Sequence, residues 1–438
     1  MCAKRLCIVF CVLSLKTDSS NLMYLRNWLP LFVCGIVILG ILSTTTVAQE
    51  FRPKVEEKNS DQWGKVSRLS VRDAARVSLG QVNLPPESIP PESKSEASSK
   101  IRLLKDLNSG SEGSDPREFI VYNGAMYFQA NDGEKGEELW RYDGSSVNLI
   151  KDINPGPQGS SPNDFAVYKD RLYFQAIPDY RQKGGAKIGS ELYKYNGSKV
   201  SLVKDINPGK KDEYSAYGSF PSNLTTYKGK LYFNASDGNK GEELWSYDGT
   251  TVRLVRDINP GEEGSKPSNL TVYEGKLFFE ADKGETGSEL WSYDGSSVTL
   301  VKDIVAGKKD SSPSELTVYD GKLYFTVSPP PSPMVEDFEG RGELWSYDGS
   351  DVNLVEDINP EGASDPFDLT VYQGELYFTA EDGEHGREVW TYNGSSARLV
   401  KDISPGEGDG NPLGPHFSIY GESLYFTAGV NANLVETG

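Results

Sequence analysis

Cysteine is nearly absent from this chain of 438 residues, and its placement is uneven. The four cysteines are Cys2, Cys7, Cys11 and Cys34, and none follows in the rest of the sequence. A chain that loses this segment has no thiol, so it depends on neither disulfide bonds nor thiol chemistry. Histidine is scarcer still, with two residues, and the motifs G-x-S-x-G, H-E-x-x-H and G-x-x-x-x-G-K-[ST] are missing. The common nucleophilic, zinc-dependent and nucleotide-dependent enzymes therefore have no signature here.

Long apolar runs are also missing, apart from one short run near the amino terminus. Residues 29–42 (LPLFVCGIVILGIL) follow a basic flank and precede small residues. The run falls short of the ~20 residues that a membrane-spanning helix needs. The pattern predicts a secretory signal over residues 1–48, cleaved before Gln49, and a start at Met23 would give it a conventional n-region. An uncleaved membrane anchor is the alternative.

Negative charge dominates the remainder of the chain. The formal net charge is −19, and residues 1–48 carry four basic side chains against one acidic one, so the rest carries −22. This field repels nucleic acid and anionic lipid headgroups, so neither is an expected partner, and membrane contact is expected only through an uncleaved signal. Residues 49–100 end in a Pro-, Ser- and Glu-rich stretch that predicts a flexible tether.

From residue 101 onward the chain is built of internal repeats. The aspartate of a (K/R/E)-D-(I/L) triplet recurs at spacings of 46, 53, 52, 46, 54 and 45 residues, at Asp106, Asp152, Asp205, Asp257, Asp303, Asp357 and Asp402. A period near 50 is typical of propeller blades.

Each repeat carries four strand signals, which we name a, b, c and d. In one repeat, alternating residues 270–273 precede the Glu274-Gly275 turn, and residues 276–279 alternate again. The segment E-L-W-S-Y then leads through Asp294-Gly295 to a last strand. Asp-Gly and Asn-Gly pairs supply the positive φ that tight hairpin turns require. Tandem four-stranded antiparallel units indicate propeller blades.

The number of strand signals predicts the number of blades. The a–b hairpin occurs seven times and the c strand six times, while Ile101–Leu107 resembles an isolated d strand. We therefore expect an all-β, seven-bladed β-propeller of four-stranded antiparallel blades over 101–438, with the last blade closed by both termini. Asn433–Thr437 is a weak candidate for its c strand. Deleting Ile101–Leu107 should then destabilise the protein far more than deleting residues 50–95.

The repeat sequence resembles a known group of proteins. Glu-Leu-Trp-Ser-Tyr-Asp-Gly followed by Leu-Val-(Lys/Arg)-Asp-Ile-Asn-Pro-Gly is similar to the ELW-x-x-DG, or hyalin-like, repeats of bacterial secreted and surface proteins. The resemblance covers 101–438 and implies a β-propeller outside the cytoplasm, with no established catalytic activity. One departure is the shorter DGSS-V turn at 294–298, where the family often has DGT-x-x-GT.

Several recurring residues have both a structural and a functional interpretation. The c-strand tryptophans suit packing between blades or stacking on sugars, and the Asp of K-D-I-N-P-G suits a turn cap or a metal ligand. Three Asp/Gly loops offer oxygen ligands that keep calcium open as a cofactor, although the EF-hand ligand order is missing: 131–134, 282–285 and 381–384. No other cofactor is indicated. Paired carboxylates for glycoside hydrolysis are open as well.

Three insertions break the repeat, at 177–189, 210–220 and 327–340. Strand direction brings all three to one end of the blades, and the first two come from neighbouring positions. Loops on a rigid scaffold commonly carry recognition, although neutral length variation is the simpler alternative. The first two insertions gather aromatic and basic residues, which predict a site for an acidic partner: Tyr180, Arg181, Lys187, Lys210, Lys211, Tyr214 and Tyr217.

The sequence favours a non-enzymatic, secreted, periplasmic or cell-surface binding propeller that recognises a protein or glycan on its insertion-bearing face. A carbohydrate-active hydrolase or lyase, with acidic residues around the channel mouth, is the alternative, and a purely structural repeat is the third.

Overall fold

A computed structural model describes residues 8–13, 103–109, 112–178, 188–209, 217–327, 342–403, 417–420 and 423–429. Within these ranges every regular element is a β-strand. All the sheets belong to one compact unit, formed by Met1–Ile36 and Leu104–Gly438. Of a second unit, Val37–Leu103, only Leu103 is among the described residues.

Six antiparallel sheets of four strands follow one another along the chain, each in the order a-b-c-d. Blades one to three are β2 (Arg117–Tyr122), β3 (Ala125–Asn131), β4 (Glu137–Tyr142), β5 (Val147–Lys151); β6 (Asn163–Tyr168), β7 (Arg171–Ala176), β8 (Glu191–Tyr195), β9 (Val200–Lys204); and β10 (Ser222–Tyr227), β11 (Lys230–Ser236), β12 (Glu242–Tyr247), β13 (Val252–Arg256). Blades four to six are β14 (Ser268–Tyr273), β15 (Lys276–Asp282), β16 (Ser288–Tyr293), β17 (Val298–Lys302); β18 (Pro313–Tyr319), β19 (Lys322–Val327), β20 (Glu343–Tyr347), β21 (Val352–Glu356); and β22 (Phe367–Tyr372), β23 (Glu375–Glu381), β24 (Arg387–Tyr392), β25 (Ala397–Lys401).

A seventh sheet contains the hairpin of β26 (Ser418–Tyr420) and β27 (Ser423–Gly429). Its third strand is β1 (Ile8–Leu13), which pairs antiparallel with β27. Asn433–Thr437, the predicted third strand, lies outside the described residues. The all-β propeller class is confirmed, with about six to seven blades.

The turns explain why each blade folds as two hairpins. In the a–b turn of blade four, Glu274 has φ 44° and Gly275 has φ 71°, so both central residues have the positive φ of a type I′ turn. In the c–d turn, Gly295 has φ 103° and Asp294 lies one place before it. Oδ1 of Asp294 accepts the N–H groups of Ser296 and Ser297, which fixes the loop that glycine alone makes sterically easy.

The middle strands of blades two to six are buried on both faces, because each of these blades lies between two others. In β15, Phe278 and Phe279 point to opposite faces, and both are buried. Phe278 contacts Tyr347 of blade five, with ring centroids 5.4 Å apart. The hydroxyl of Tyr273, also in blade four, donates a hydrogen bond to the carbonyl of Gly321 in blade five. Each of the six c-strand aromatics at the tryptophan position lies in or against these clusters, so they pack the core.

The predicted strand Ile101–Leu107 is wrong for its described part, because residues 103–107 form bends rather than a ladder. The segment nevertheless lies against blade one. Leu107 packs on the cluster of Phe128 and Trp140, and Nζ of Lys105 donates a 3.0 Å hydrogen bond to the carbonyl of Val147. Leu107 thus occupies, relative to blade one, the place that Ile206 occupies relative to blade three. Side-chain packing is kept without strand pairing.

Candidate functional site

We call the end of the blades where the b–c loops and d–a connections emerge the top face. Two predicted insertions meet there at Tyr217. The N–H of Tyr217 donates to the carbonyl of Gly209, and its own carbonyl accepts the N–H of Gly189 at 3.1 Å. Because Gly189 ends the first insertion and Gly209 borders the second, their described flanks are neighbours. The other predicted site residues lie outside the described residues: Tyr180, Arg181, Lys187, Lys210, Lys211 and Tyr214.

Phe220 is the residue on this face that departs most clearly from the repeat. It has φ 47°, a left-handed conformation that is unusual for a bulky side chain, and it is 55% exposed. The same position in the other five complete blades has a positive φ but carries a polar residue: Asp115, Ser161, Lys266, Ser312 and Asp365. Tyr217, three residues earlier, is 46% exposed. The entry to blade three therefore presents two aromatic side chains to solvent.

A ring of polar side chains lies where each inner strand begins at the top face. In blade two, Asp164 has φ 54° and sits in a bulge of the a–b ladder between Asn163 and Ala166. The bulge and the positive φ recur in all six complete blades, at Glu118, Asp164, Asn223, Asn269, Glu315 and Asp368. Because the inner strands of successive blades lie side by side, these residues converge around the channel.

Five of the six members of this ring, which we call the channel ring, accept a backbone N–H group of the next blade, whereas the side chain of Asn269 bonds within its own blade. Oδ1 of Asp164 accepts the N–H of Asn223 at 2.7 Å, and Oδ1 of Asn223 accepts the N–H of Asn269 at 3.1 Å. Oε2 of Glu118 accepts the N–H of Asp164 at 3.2 Å, and Oε2 of Glu315 accepts that of Asp368 at 3.1 Å. The ring is therefore a set of clasps between blades.

The channel ring opens into a cavity of about 450 Å³. Glu118, Asp164 and Glu315 supply carboxylates to its lining, and Asn223 and Asn269 supply amides. Burial raises the pKa of Asp164 above its usual range, the hydrogen bond from Asn223 opposes this, and the nearby charge of Glu118 adds to it. The remaining lining residues are Phe165, Leu224, Leu270, Leu316, Thr225, Thr271 and Thr317. The exposed lining of the cavity is mainly polar, because Leu270 and Leu316 are buried in the cores between blades.

A second recurring carboxylate, at the start of each c strand, was missed by the sequence analysis. These glutamates are at most 1% exposed: Glu138, Glu191, Glu243, Glu289, Glu343 and Glu388. In blade three, Glu243 accepts the N–H groups of Ile258 and Asn259, and the hydroxyl of Ser265 at 2.6 Å. The glutamate thus clamps the end of the d strand to the connection that follows. The signal was present, since glutamate precedes every Leu-Trp pair or its equivalent.

Burial shifts the acidity of these glutamates in one direction. It raises the pKa from the usual 4.5 to about 7 at Glu138, Glu191, Glu289 and Glu343, and raises that of Glu243 as well. Hydrogen bonds from serine and backbone oppose the shift without cancelling it.

These clamps correct the expected role of the K-D-I-N-P-G aspartate. The N–H groups that follow this aspartate go to the glutamate, and among these aspartates the one described cap is weak, from Gly307 N to Asp303 Oδ2 at 3.3 Å. The aspartate instead lies near the b–c loop, where Lys240 forms a 2.6 Å ion pair with Asp257. The sequence suggested that the aspartate would accept these N–H groups, because it lies next to them. Their acceptor is instead the glutamate 15 or 16 residues earlier in the chain.

In the candidate calcium loops, aspartate side chains accept hydrogen bonds from the backbone of the same loop. Oδ1 of Asp132 accepts the N–H groups of Glu134 and Lys135, and Asp382 does the same for Glu384 and His385. Nδ1 of His385 lies 2.7 Å from Asp382, which raises the pKa of the imidazole. Across the described ranges, no group of three or more His, Cys, Asp or Glu side chains is arranged to hold a metal ion.

No family profile and no curated protein matches this chain. Among solved structures, it is similar to the β-propeller domain of the Trilobed protease from Pyrococcus furiosus, with 15% identity, TM-score 0.40, and 66% of this chain and 84% of that one covered. It is also similar to TolB from Acinetobacter baumannii (13%, TM-score 0.34, 63% and 63%) and to Trypanosoma rangeli sialidase in complex with the inhibitor DANA (13%, 0.33, 72% and 54%). These likenesses concern the fold alone. None of the described segments forms a helix suited to crossing a membrane.

Proposed function

We propose that this protein is a non-enzymatic, extracytoplasmic binding or scaffold propeller that recognises a protein or a glycan on its top face. The observation that carries the proposal is the exposure of Tyr217 and of Phe220, the second at a position where the other five complete blades carry polar residues. Exposed aromatics anchor interfaces because they bury a large area when a partner covers them. The fold gives this position a left-handed backbone in all six complete blades, so folding requires the conformation but not the bulky phenylalanine that adopts it in blade three.

The insertions add to the same surface. Tyr217 joins the described flanks of the two insertions through its bonds to Gly189 and Gly209. A partner with acidic groups would complement these loops, which carry Tyr180, Arg181, Lys187, Lys210, Lys211 and Tyr214.

The extracytoplasmic placement is supported by the predicted signal over residues 1–48 and by the resemblance to secreted ELW-x-x-DG repeats. Material from the native host should begin near Gln49 and contain no cysteine, which intact-mass measurement checks. Cleavage there also removes β1, so the seventh sheet of the mature protein keeps the β26–β27 hairpin without this strand. Recovery of Cys34 in the mature product would contradict cleavage.

A hydrolase acting on carbohydrate is the second candidate, favoured by the convergence of Glu118, Asp164 and Glu315 on one cavity. Against it, Glu118, Asp164 and Glu315 each already accept a hydrogen bond from a neighbouring blade. Glycosidases use a pair of carboxylates at a set separation, as acid and as base or nucleophile. Turnover of a polysaccharide panel that disappears in Asp164→Asn would favour the hydrolase.

The test of the binding role is partner capture by the full chain on a glycan array and by proximity labelling. Tyr217→Ala with Phe220→Ala should abolish capture while the melting temperature stays within a few degrees. Lys276→Ala, exposed at the opposite end of blade four, is the matched control and should capture normally. Equal capture by all three proteins would contradict the proposal.

A further inference from the structure

One clamp glutamate, Glu191 of blade two, holds the segment that presents the two exposed aromatic side chains. Its Oε1 accepts the N–H of Ser219 at 3.0 Å, and its Oε2 accepts the hydroxyl of Ser219 and the N–H of Ile206. Ser219 lies between Tyr217 and Phe220, so the carboxylate grips the middle of this short segment. The equivalent glutamates of blades one, three, four and five hold a serine that is followed by a polar residue: Ser161, Lys266, Ser312 and Asp365. Among the described joints, the grip of Glu191 alone bears on exposed aromatic side chains.

The other described contacts of this segment come from groups that do not titrate. The carbonyl of Ser190 accepts the N–H of Phe220 at 3.1 Å. Nδ2 of Asn207 donates to the carbonyl of Gly218 at 3.0 Å. Backbone and amide groups keep their charge state at any pH that a folded protein meets. Among the described groups that hold the segment, Glu191 is therefore the one whose charge can change.

The carboxylate of Glu191 is fully buried, and no described cation pairs with it. The titratable groups that face it are Asp205, directly after β9, and Tyr193 on its own strand. Burial and the charge of Asp205 raise the pKa of Glu191 to about 7, although hydrogen bonds from Ser219 and Ile206 oppose the shift. The side chain is therefore mostly protonated at pH 5.5 and mostly ionised at pH 8.

Ionisation weakens the joint, because a buried charge gains hydration when the segment 217–220 moves away, and the protonated acid gains little. Opening of a short connection costs less free energy than unfolding of the whole protein, so it is the first response to the charge. The stabilisation of the closed joint is complete below the usual pKa of 4.5, which an open and hydrated Glu191 regains, and it is lost as pH rises through 7. From these two values, the opening constant should rise about thirtyfold between pH 5.5 and pH 8.

We propose that Glu191 is a proton switch for the binding surface at the entry to blade three. The uncharged acid holds Tyr217 and Phe220 in the arrangement that a partner recognises, and the charged form releases the segment that carries them. This inference rests on the proposed binding role of the top face and names the regulation of that site. Glu191 is a positioning residue, since the partner contacts the aromatic side chains and not the buried acid.

Hydrogen exchange detected by mass spectrometry tests the switch on the full chain without a partner. The readout is the protection of residues 217–220 at pH 5.5 and pH 8, after correction for the intrinsic exchange rate at each pH. Glu191→Gln keeps an acceptor oxygen and stays uncharged. Glu289→Gln changes the equivalent clamp of blade four, which holds Ser311, and is the matched control. Asp205→Asn is a second variant, which keeps Glu191 and removes the charge beside it.

In the wild type we expect the protection of residues 217–220 to fall about thirtyfold between pH 5.5 and pH 8. Glu191→Gln should reduce this change to less than about threefold, and Asp205→Asn should move its midpoint to lower pH. Glu289→Gln should leave it unchanged and remove instead the pH dependence at Ser311 and Ser312. Capture on a glycan array should be weaker at pH 8 than at pH 5.5 for the wild type and Glu289→Gln, and equal at both for Glu191→Gln.

Three outcomes would overturn the switch. Protection of residues 217–220 that does not depend on pH in the wild type would mean that Glu191 does not titrate in this range. Equal effects of Glu191→Gln and Glu289→Gln on this segment would mean that it senses only the overall charge of the chain. A protection that follows pH while capture does not would mean that the joint titrates without controlling binding. If no glycan is captured at either pH while the protection changes as expected, recognition of glycans is wrong and the switch of the segment stands.

Discussion

The hydroxyl of Ser265 donates a 2.6 Å hydrogen bond to Oε2 of Glu243, and this contact joins the third strand of blade three to the connection that enters blade four. The same pair recurs as Ser160 with Glu138, Ser219 with Glu191, Ser311 with Glu289 and Ser364 with Glu343. The partners are separated by 21 to 28 residues, so the contact is tertiary in each of these five blades. A buried acid is thus part of the blade-to-blade joint.

Removing the hydroxyl should show how much the joint contributes. Ser265→Ala leaves the buried carboxylate of Glu243 short of one donor, so we expect a loss of about 1–3 kcal/mol in unfolding free energy. Urea denaturation measures it. Ser297→Ala, in the exposed c–d turn of blade four, is the control and should change stability by less than about 0.5 kcal/mol. Equal effects would mean that the joint carries no special weight.

The raised pKa values of the clamp glutamates predict a pH dependence of stability. The unfolded chain releases these protons near the usual pKa of 4.5, whereas the folded protein holds them to about 7 at Glu289. Their contribution to stability is therefore complete below pH 4.5 and is lost as pH rises through 7. Because each unit of pKa difference is worth about 1.4 kcal/mol, several such glutamates should lower the melting temperature by several degrees between pH 5.5 and pH 8.

The overall negative charge also favours low pH, so a variant has to separate the two causes. Glu289→Gln mimics the protonated acid and changes the net charge by one, as does Glu274→Gln in an exposed turn. We expect the melting temperature of the first variant to depend less on pH than that of the wild type, and that of the second to follow the wild type. Parallel curves for all three would contradict a role for the buried acid.

Local chemistry explains what the sequence could predict. The repeat period, the four strands and the turns follow from alternation and from Asp-Gly or Asn-Gly pairs, which act within a few residues. The clamp glutamates could not be assigned a partner, since Ser265 lies 22 residues from Glu243 and no local pattern connects them. The channel ring was missed for another reason. Its signal is the recurring S-x-P-x-(D/E/N) before each a strand, but only the bulged backbone shows that Asp164 reaches the next blade.

Leu107 tests whether the segment before blade one closes the propeller by packing. It lies half-buried on Phe128 and Trp140, so Leu107→Ala should cost about 1–2 kcal/mol. Leu103 is 79% exposed, and Leu103→Ala is the matched control with an expected change near zero. Urea unfolding of both variants distinguishes them. If the two changes are the same, the segment is a tether that happens to lie near the blade.

A substitution at Phe220 distinguishes a role in folding from a role in binding. Blades one and six carry Asp115 and Asp365 at the same left-handed position, and aspartate tolerates positive φ better than phenylalanine does. Phe220→Asp should therefore leave the melting temperature unchanged or raise it slightly, since the ring is mostly exposed and contributes little burial. Partner capture should fall at least tenfold, because an interface that covers the ring would lose its apolar area and meet a new charge. Thermal melting together with capture of the partner found by array or labelling measures both effects. A melting temperature lowered as far as by Leu107→Ala, with capture intact, would make Phe220 a packing residue and remove the main support for a binding site at the entry to blade three.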